Sequence, residues 1–259
     1  MKLRYALLSI LTIFFLYTTA WCADWWEQAG SGNTLDQTSV EQKSSTGLLE
    51  TAVRVNWVDD YIEVVAGGTV DNDKAVNMAH ALSMAKKTAR HLAYEKLAET
   101  INGINITSDA TYDRELMVDS NLETRVKALI RGAQVIDENH EQLADGSIWA
   151  SVRLGVHITG PKSLMSSTEP WIIKNRESAS TELTSKQIPS ESSENLENAS
   201  GVIVDATGLD LKPAMIPKIY SQNGELLYGA QDVDNSYLTR FGMAGYARSV
   251  EHAKSNERV

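Results

Sequence analysis

Residues 73–101 carry the longest regular pattern of apolar side chains after the N-terminal leader. The apolar positions recur every three or four residues, as on one face of an α-helix. They are Ala75, Met78, Ala79, Leu82, Ala85, Ala89, Leu92, Ala93, Leu97 and Ile101. Asn72 and Asp73 can cap the start of this helix, and the following Asn102-Gly103 predicts a left-handed stop. Because the stripe is mostly alanine, the helix must approach its neighbour closely.

A β-hairpin is predicted just before this helix. Residues 53–57 and 62–64 alternate apolar and polar side chains on either side of Asp59-Asp60. The second run stops at Gly67-Gly68. This pattern predicts two antiparallel strands joined by a two-residue turn.

More strands and a short helix are predicted after the long helix. Residues 104–108 read as a strand, and Ser120-x-x-Glu123 is a capping box that opens a short helix ending at Gly132. Residues 134–141 and 147–158 predict a second hairpin around Asp145-Gly146. Six apolar side chains alternate without interruption in its last strand, which should therefore lie under the long helix. They are Ile148, Ala150, Val152, Leu154, Val156 and Ile158.

The order of these elements predicts the α+β class for residues 51–159. Helices on one face of a largely antiparallel sheet bury both apolar surfaces with the fewest assumptions. The predicted domain has one long and one short helix packed on one face of the sheet. A small β-rich C-terminal module is expected to lean on it, because a module of this size cannot bury a large core alone.

The N-terminus predicts export. Lys2 and Arg4 precede an apolar run over residues 5–17, which is shorter than the roughly 20 residues of a membrane span. Small residues at 18–20 suit signal cleavage, and 20–22 is a second candidate position. We therefore predict a signal peptide over residues 1–22 and no transmembrane helix in the mature chain.

Cys22 is the only cysteine, so the chain has no internal disulfide. A cysteine at the end of a leader raises the question of lipidation. The residue before it is Trp21, whereas a lipidated cysteine normally follows a small residue. Cys22 is therefore either lipidated or without a role, in the signal or at the mature terminus.

Composition divides the remaining chain. Residues 23–50 are rich in Ser, Gln, Gly and Thr and predict a flexible lead-in, whose Trp25-Trp26 could contact a membrane interface, a partner or the domain. Residues 160–200 predict a Ser/Glu-rich linker with one apolar group, residues 171–173, that could dock on a neighbouring surface.

The C-terminal module is expected to span residues 201–259. Residues 202–204 predict a short strand, Asn223-Gly224 predicts a hairpin turn, and residues 246–254 predict a final helix.

Net charge and motifs exclude several functions. The formal net charge is −10, and a general nucleic-acid-binding protein needs a basic surface instead. Phosphate-binding loops, dinucleotide fingerprints, nucleophile elbows and zinc motifs do not occur in the sequence. The histidines are scattered and read as surface residues. They are His80, His91, His140, His157 and His252.

Three weaker features have structural explanations beside functional ones. Gly67-Gly68 could cradle a phosphate but reads better as a strand exit. Asp59-Asp60 could bind a cation but suits a hairpin turn without one. Lys86, Lys87 and Arg90 form either a solvated helix face, partly paired with Glu95, or a surface for an acidic partner or anionic lipid. We therefore predict no catalytic, cofactor-binding or metal-binding residues.

The order of segments resembles one family of bacterial envelope proteins. IEVVAGGTV, the alanine-rich helix, GINITSDATY and the closing hairpin QVIDENHEQLADGSIWASVRLGVHI carry the resemblance, which covers residues 52–158. The family is the twenty-kilodalton outer-membrane lipoproteins, to which the N-terminal domain of flagellar assembly protein T is similar. The tail GVIVDATGLDLKPAMIPKIYSQNGELLYG is similar to an extension of some envelope relatives.

This resemblance implies a non-enzymatic protein in the periplasm or at the outer membrane, and some relatives contribute to flagellar structures and motility. Other envelope proteins are the expected partners, and a homo-oligomer is an open alternative. No functional residue is implied, because the family pattern contains none. The second hypothesis is a periplasmic module that binds a small ligand or glycan, in the groove beside the long helix or at Trp149 on the outer face of the sheet.

Overall fold

The computed structural model describes residues 36–43, 49–108, 110–183, 201–209 and 211–256. Side chains are described in these ranges except at residues 36–43, 49–50, 72 and 177–183. The predicted leader, with Cys22, and Trp25-Trp26 lie outside the described residues, as does the later part of the predicted linker.

One antiparallel sheet organises the molecule. Its strands are β1 (Asp36–Lys43), β2 (Leu49–Asn56), β3 (Tyr61–Val70), β4 (Gln134–Gln142) and β5 (Ile148–His157). They follow the order β1-β2-β3-β5-β4, and each neighbouring pair is antiparallel. The predicted α+β class is confirmed. The prediction of a flexible lead-in is wrong for β1, because this segment pairs along the outer edge of β2.

β5 lies between β3 and β4 and carries the best-ordered alternation of the chain. Its five predicted inward side chains are buried, as is that of Ile158, which follows the strand. His157, on the opposite side of the strand, is exposed. The second hairpin also forms as predicted, with Gly146 in a left-handed conformation at φ 83°.

The first hairpin differs from its prediction at both ends. Pairing stops at Asn56 and Tyr61, so its turn has four residues instead of two. β3 also continues past Gly67-Gly68 to Val70, because β5 supplies a paired neighbour along its whole length. The glycines therefore lie inside the strand.

The predicted long helix is α1 (Met78–Asn102), and it begins later than expected. Residues 72–74 form a separate 3₁₀ turn, and the side chain of Asn77 caps the helix by accepting from the His80 amide at 2.9 Å. The predicted left-handed stop is also wrong. Gly103 has φ −75° and ψ −10°, so the helix ends on a right-handed turn.

The buried face of α1 follows a four-residue repeat. Its members are Ala81, Ala85, Ala89, Ala93, Leu97 and Ile101. The predicted stripe is wrong at Met78 and Ala79, which are exposed, and it missed Ala81. Small side chains let the helix approach β3 so closely that a Cβ at Gly68 would be 2.9 Å from the Ala89 amide nitrogen.

The strand predicted at residues 104–108 does not form. Asn105 and Thr111 form one isolated bridge, and α2 (Tyr112–Val118) follows directly. The buried Tyr112 side chain shares a short hydrogen bond with Thr168, which in turn donates to the Leu164 carbonyl at 2.7 Å. The segment is held by these contacts instead of by strand pairing.

The predicted short helix is α3 (Ser120–Arg131), and Asp119 caps it rather than Ser120. The Asp119 carboxylate accepts from the amides of Asn121 and Leu122, both at 3.0 Å. A Ser120–Glu123 capping box is therefore not formed at this position. Leu122 and Val126 face the core.

The linker prediction is wrong over its first half, where α4 (Leu164–Leu183) forms. Ser163 and Ser166 cap its start reciprocally, each hydroxyl accepting from the other's amide, at 2.9 and 3.1 Å. Leu164, Thr168 and Ile172 are fully buried at four-residue spacing. The many serines of this segment hid a helical periodicity. The predicted docking of residues 171–173 is observed, since Ile172 belongs to the core.

The C-terminal residues contain a two-stranded hairpin and two helices. These are β6 (Ile219–Tyr220), β7 (Leu226–Tyr228), α5 (Asn235–Phe241) and α6 (Val250–Lys254). The hairpin turn at Asn223-Gly224 and the final helix were predicted, although the helix begins at Val250. α5 was not predicted, and the predicted strand at residues 202–204 does not form.

The C-terminal module shares the core of the first domain, as expected. Met215, Ile216, Leu238 and Met243 pack in the same cluster as the sheet and α1. The amides of Met215 and Ile216 donate to the carbonyls of Asn105 and Ile106, at 2.9 and 2.8 Å. The module is therefore attached by backbone bonds as well as by apolar contacts.

Candidate functional site

The five histidines lie apart and on the surface. All are exposed, and His80 accepts from the Val76 amide at 3.3 Å beside the start of α1. The His157 ring packs edge-on against Tyr61, with centroids 4.7 Å apart. Within the described ranges, no three His, Cys, Asp or Glu side chains are arranged to hold a metal ion.

Asp59 and Asp60 stabilise the first hairpin turn. Asn56 donates its side-chain amide to the Asp59 carboxylate at 2.6 Å. Asp60 has φ 61°, and its carboxylate accepts from the amide and hydroxyl of Thr159 at 3.0 and 2.7 Å. These bonds tie the turn to the end of β5 and give the carboxylates protein partners.

Lys86 and Arg90 on α1 pair with Glu138 of β4, not with Glu95. Arg90 forms a short ion pair with Glu138, and the Lys86 ammonium lies 3.8 Å from the other carboxylate oxygen. The hydrogen bond from Arg90 and its positive charge lower the pKa of Glu138. This arrangement fastens the helix to the edge strand of the sheet.

The other carboxylates with lowered pKa values cap the starts of helices or stabilise turns. The hydrogen bond from the Leu122 backbone amide is the largest cause of the lowered pKa of Asp119, and the hydrogen bond from Lys174 is the next largest. Hydrogen bonds from the residue two positions ahead lower the pKa values of Asp145, Asp205 and Asp234. Each shift has a local structural cause, and these carboxylates do not form one cluster.

A cleft of about 140 Å³ lies where the first hairpin turn meets the C-terminal module. Its walls include Trp57, Met165, Met243 and Tyr246. The Trp57 and Tyr246 rings meet edge-on with centroids 5.4 Å apart. The Tyr246 hydroxyl bonds to both the amide and the carbonyl of Ala214, at 2.9 and 2.8 Å. Burial raises the pKa of Tyr246 above its ordinary value.

This cleft differs from the ligand positions expected from the sequence. Trp149 is half-buried and pairs with Thr69 and Glu141 on neighbouring strands. Neither Trp149 nor a side chain of α1 lines the cleft. A cavity of about 150 Å³ holds one benzene-sized molecule, so the cleft suits a small group at most.

The strongest unexplained surface feature is residues 201–212, which we name the contact segment; the structure describes all of it but residue 210. Val202 is 83% exposed and Val204 is 62% exposed. Leu209 and Leu211 follow at 70% and 51%. Large apolar side chains gathered within so short a segment mark an interaction surface better than scattered ones do.

A tight turn divides the contact segment into two apolar arms. The Leu209 amide donates to the Ala206 carbonyl at 3.0 Å, and Gly208 has φ 80°. The Asp205 carboxylate accepts from the Thr207 amide at 2.9 Å. Exposure alternates across residues 202–204, with Ile203 half-buried between two exposed valines.

The sequence does not predict that these side chains are exposed, although residues 202–204 are three consecutive strand-forming residues. The sequence predicts a strand over residues 202–204, which implies paired and covered side chains. In the described structure the triplet belongs to no strand.

The fold is that of an α+β protein. Within the described residues, the carboxylates whose pKa is lowered serve helix caps, turns and an ion pair. Residues 201–259 match the model of one protein family, described as the second domain of Treponema pallidum Tp0624. The match therefore covers the contact segment and the rest of the C-terminal module. No curated protein matches the chain. Within the described ranges, no helix combines the length and apolar composition needed to cross a membrane.

Proposed function

We propose that this chain is an exported, non-enzymatic protein of the bacterial envelope that acts by protein–protein contact. The observation that carries the proposal is the contact segment, in which four large apolar side chains are exposed to solvent. Ala214, Met215 and Ile216 follow it after Pro213 and are almost fully buried. The C-terminal end of the contact segment is thus anchored in the core, while its apolar side chains stay exposed.

Two further observations support this proposal. The leader, with Lys2 and Arg4 before an apolar run, indicates export. The resemblance of residues 52–158 to the twenty-kilodalton outer-membrane lipoproteins suggests a periplasmic location, association with the outer membrane, and a role in outer-membrane or flagellar assembly. The shifted carboxylates support contact rather than catalysis, because each already serves a cap, a turn or an ion pair.

Purification from fractionated envelopes tests the proposal. The full chain and its double variant Val202→Ser/Val204→Ser are expressed in a deletion strain, beside the matched control Val76→Ser. Val76 is 87% exposed but lies outside the contact segment. We expect the chain and the control to be exported, to retain envelope proteins and to restore motility or envelope integrity. The double variant should be exported but lose the retained proteins.

A cytoplasmic location would contradict the proposal. Equal retention of envelope proteins by the double variant and the control would also contradict it, as would a deletion without effect on motility or envelope integrity.

The aromatic cleft favours a second function, the binding of a small ligand. Trp57 and Tyr246 offer apolar ring surface, and Asp60 and Thr159 offer polar groups. A thermal-shift screen of cell-wall components no larger than about one sugar ring would detect such a ligand. We expect a shift with the native chain that Trp57→Leu abolishes, and the absence of any shift would reject this function.

A further inference from the structure

The contact segment has the composition of a strand without strand pairing. Val and Ile are the residues most favoured in strands, and residues 202–204 alternate in exposure with the period of two that strands show. No backbone hydrogen bond joins residues 202–204 to another described residue. Their amides and carbonyls are thus available for pairing as far as the described structure extends.

The residues that follow the contact segment, Ala214 to Ile216, form its base and are held firmly to the rest of the fold. Backbone bonds hold Met215 and Ile216 to residues 105 and 106, and Tyr246 bonds both backbone groups of Ala214. The turn at residues 206–209 lies between residues 202–204 and this base. Less conformational entropy is lost when a segment anchored in this way binds a partner.

A second copy of this chain is a poor occupant for the segment. The two outer strands of the sheet, β1 and β4, both have irregular registers, and β4 also carries Asp137, Glu138 and Glu141. Irregular, charged edges resist further pairing.

We infer that residues 202–204 add as a strand to the exposed β-sheet edge of a different protein, an edge that carries lysine or arginine beside an apolar face. In strand addition, main-chain hydrogen bonds provide affinity and alternate side chains provide specificity, so a short segment suffices. Val202 and Val204 pack on the apolar face, and Asp205 meets the cations. Sheet edges commonly carry lysine, which complements this carboxylate. The inference rests on the proposed function and names its partner class.

In-cell photo-cross-linking of the full chain tests the inference. Position 202 carries p-benzoylphenylalanine in the cells that produce the chain, and position 76 carries it in the control. Val204→Pro removes one amide donor, whereas Val204→Thr keeps the donor and a branched side chain. Thermal unfolding of each variant must match that of the parent chain.

We expect cross-links from position 202 to an edge strand of another protein and few from position 76. Val204→Pro should lower the yield about tenfold, because one main-chain bond is lost and the ring obstructs pairing. Val204→Thr should lower it less than threefold.

Cross-links to a helix, a loop or a second copy would overturn the inference, and so would equal losses with proline and threonine. A contact with a different protein through a helix or loop would leave the proposed function standing. A yield at position 202 no higher than at position 76 would overturn both.

Discussion

Gly68 sets the distance between α1 and the sheet. A Cβ at this position would lie 2.9 Å from the Ala89 amide nitrogen and 3.0 Å from Thr88 Cγ2. One of these neighbours is backbone, so the contact cannot be relieved by a side-chain rotation alone. The glycine in the strand and the alanines on the helix thus depend on each other.

We expect Gly68→Ala to lower the free energy of unfolding by about 1–3 kcal/mol through overpacking. Gly103→Ala is the matched control, because a Cβ there would lie 3.5 Å from its nearest neighbour at a right-handed φ. Chemical denaturation should show the control unchanged or stabilised by up to about 1 kcal/mol. Equal destabilisation by both changes would contradict the close approach.

Asp119 links the start of α3 to α4, because its carboxylate caps α3 and also accepts from Lys174 at 3.0 Å. We expect Asp119→Ala to cost about 1 kcal/mol of stability through the lost cap. Asp119→Asn keeps the cap but removes the charge. Urea denaturation of the two variants at neutral pH separates these contributions.

The lowered pKa of Asp119 also predicts a pH dependence. Its charged form is favoured in the folded state, so its stabilisation is complete above the unfolded value of about 3.9 and is lost as pH falls through the lower folded value. The stability difference between the native chain and Asp119→Asn should therefore be largest at neutral pH and shrink in acid. A difference that grows in acid would contradict this linkage.

At the scale of elements, the stripe of α1 distinguishes two leucines that sequence periodicity treats alike. Leu97 is completely buried, whereas Leu92 is only partly buried at the edge of the core. We expect Leu97→Ala to cost about 2–5 kcal/mol and Leu92→Ala less than about 2 kcal/mol. Chemical denaturation checks the order, and equal losses would show that both side chains fill the core.

At the scale of the whole molecule, the C-terminal module and the sheet share one core. Leu238 of α5 is fully buried in the cluster that contains α1 and β5. We therefore expect the full chain to unfold in one calorimetric transition, and Leu238→Ala should lower that transition as a whole. Two transitions, with only one displaced by the substitution, would show an independently folding module.

Local sequence patterns were sufficient to predict the elements in which side-chain burial repeats regularly along a strand or helix. The alternation of β5 predicted its buried side chains, and the spacing on α1 predicted a long helix over the sheet. The turn glycines Gly146 and Gly224 located two hairpins. These features follow from backbone periodicity and turn chemistry, which are properties of a few consecutive residues.

Only the tertiary structure decided the contacts between distant residues. Glu138 meets Arg90 across 48 positions of sequence, so no helical spacing could reveal that pair. α4 is stabilised by burial against α3 and α5, which outweighed its serine-rich composition. Val202 and Val204 show the converse, because strand propensity does not bury a side chain unless a neighbouring strand reaches it. Whether an apolar segment is core or contact surface therefore depends on what the rest of the fold places beside it.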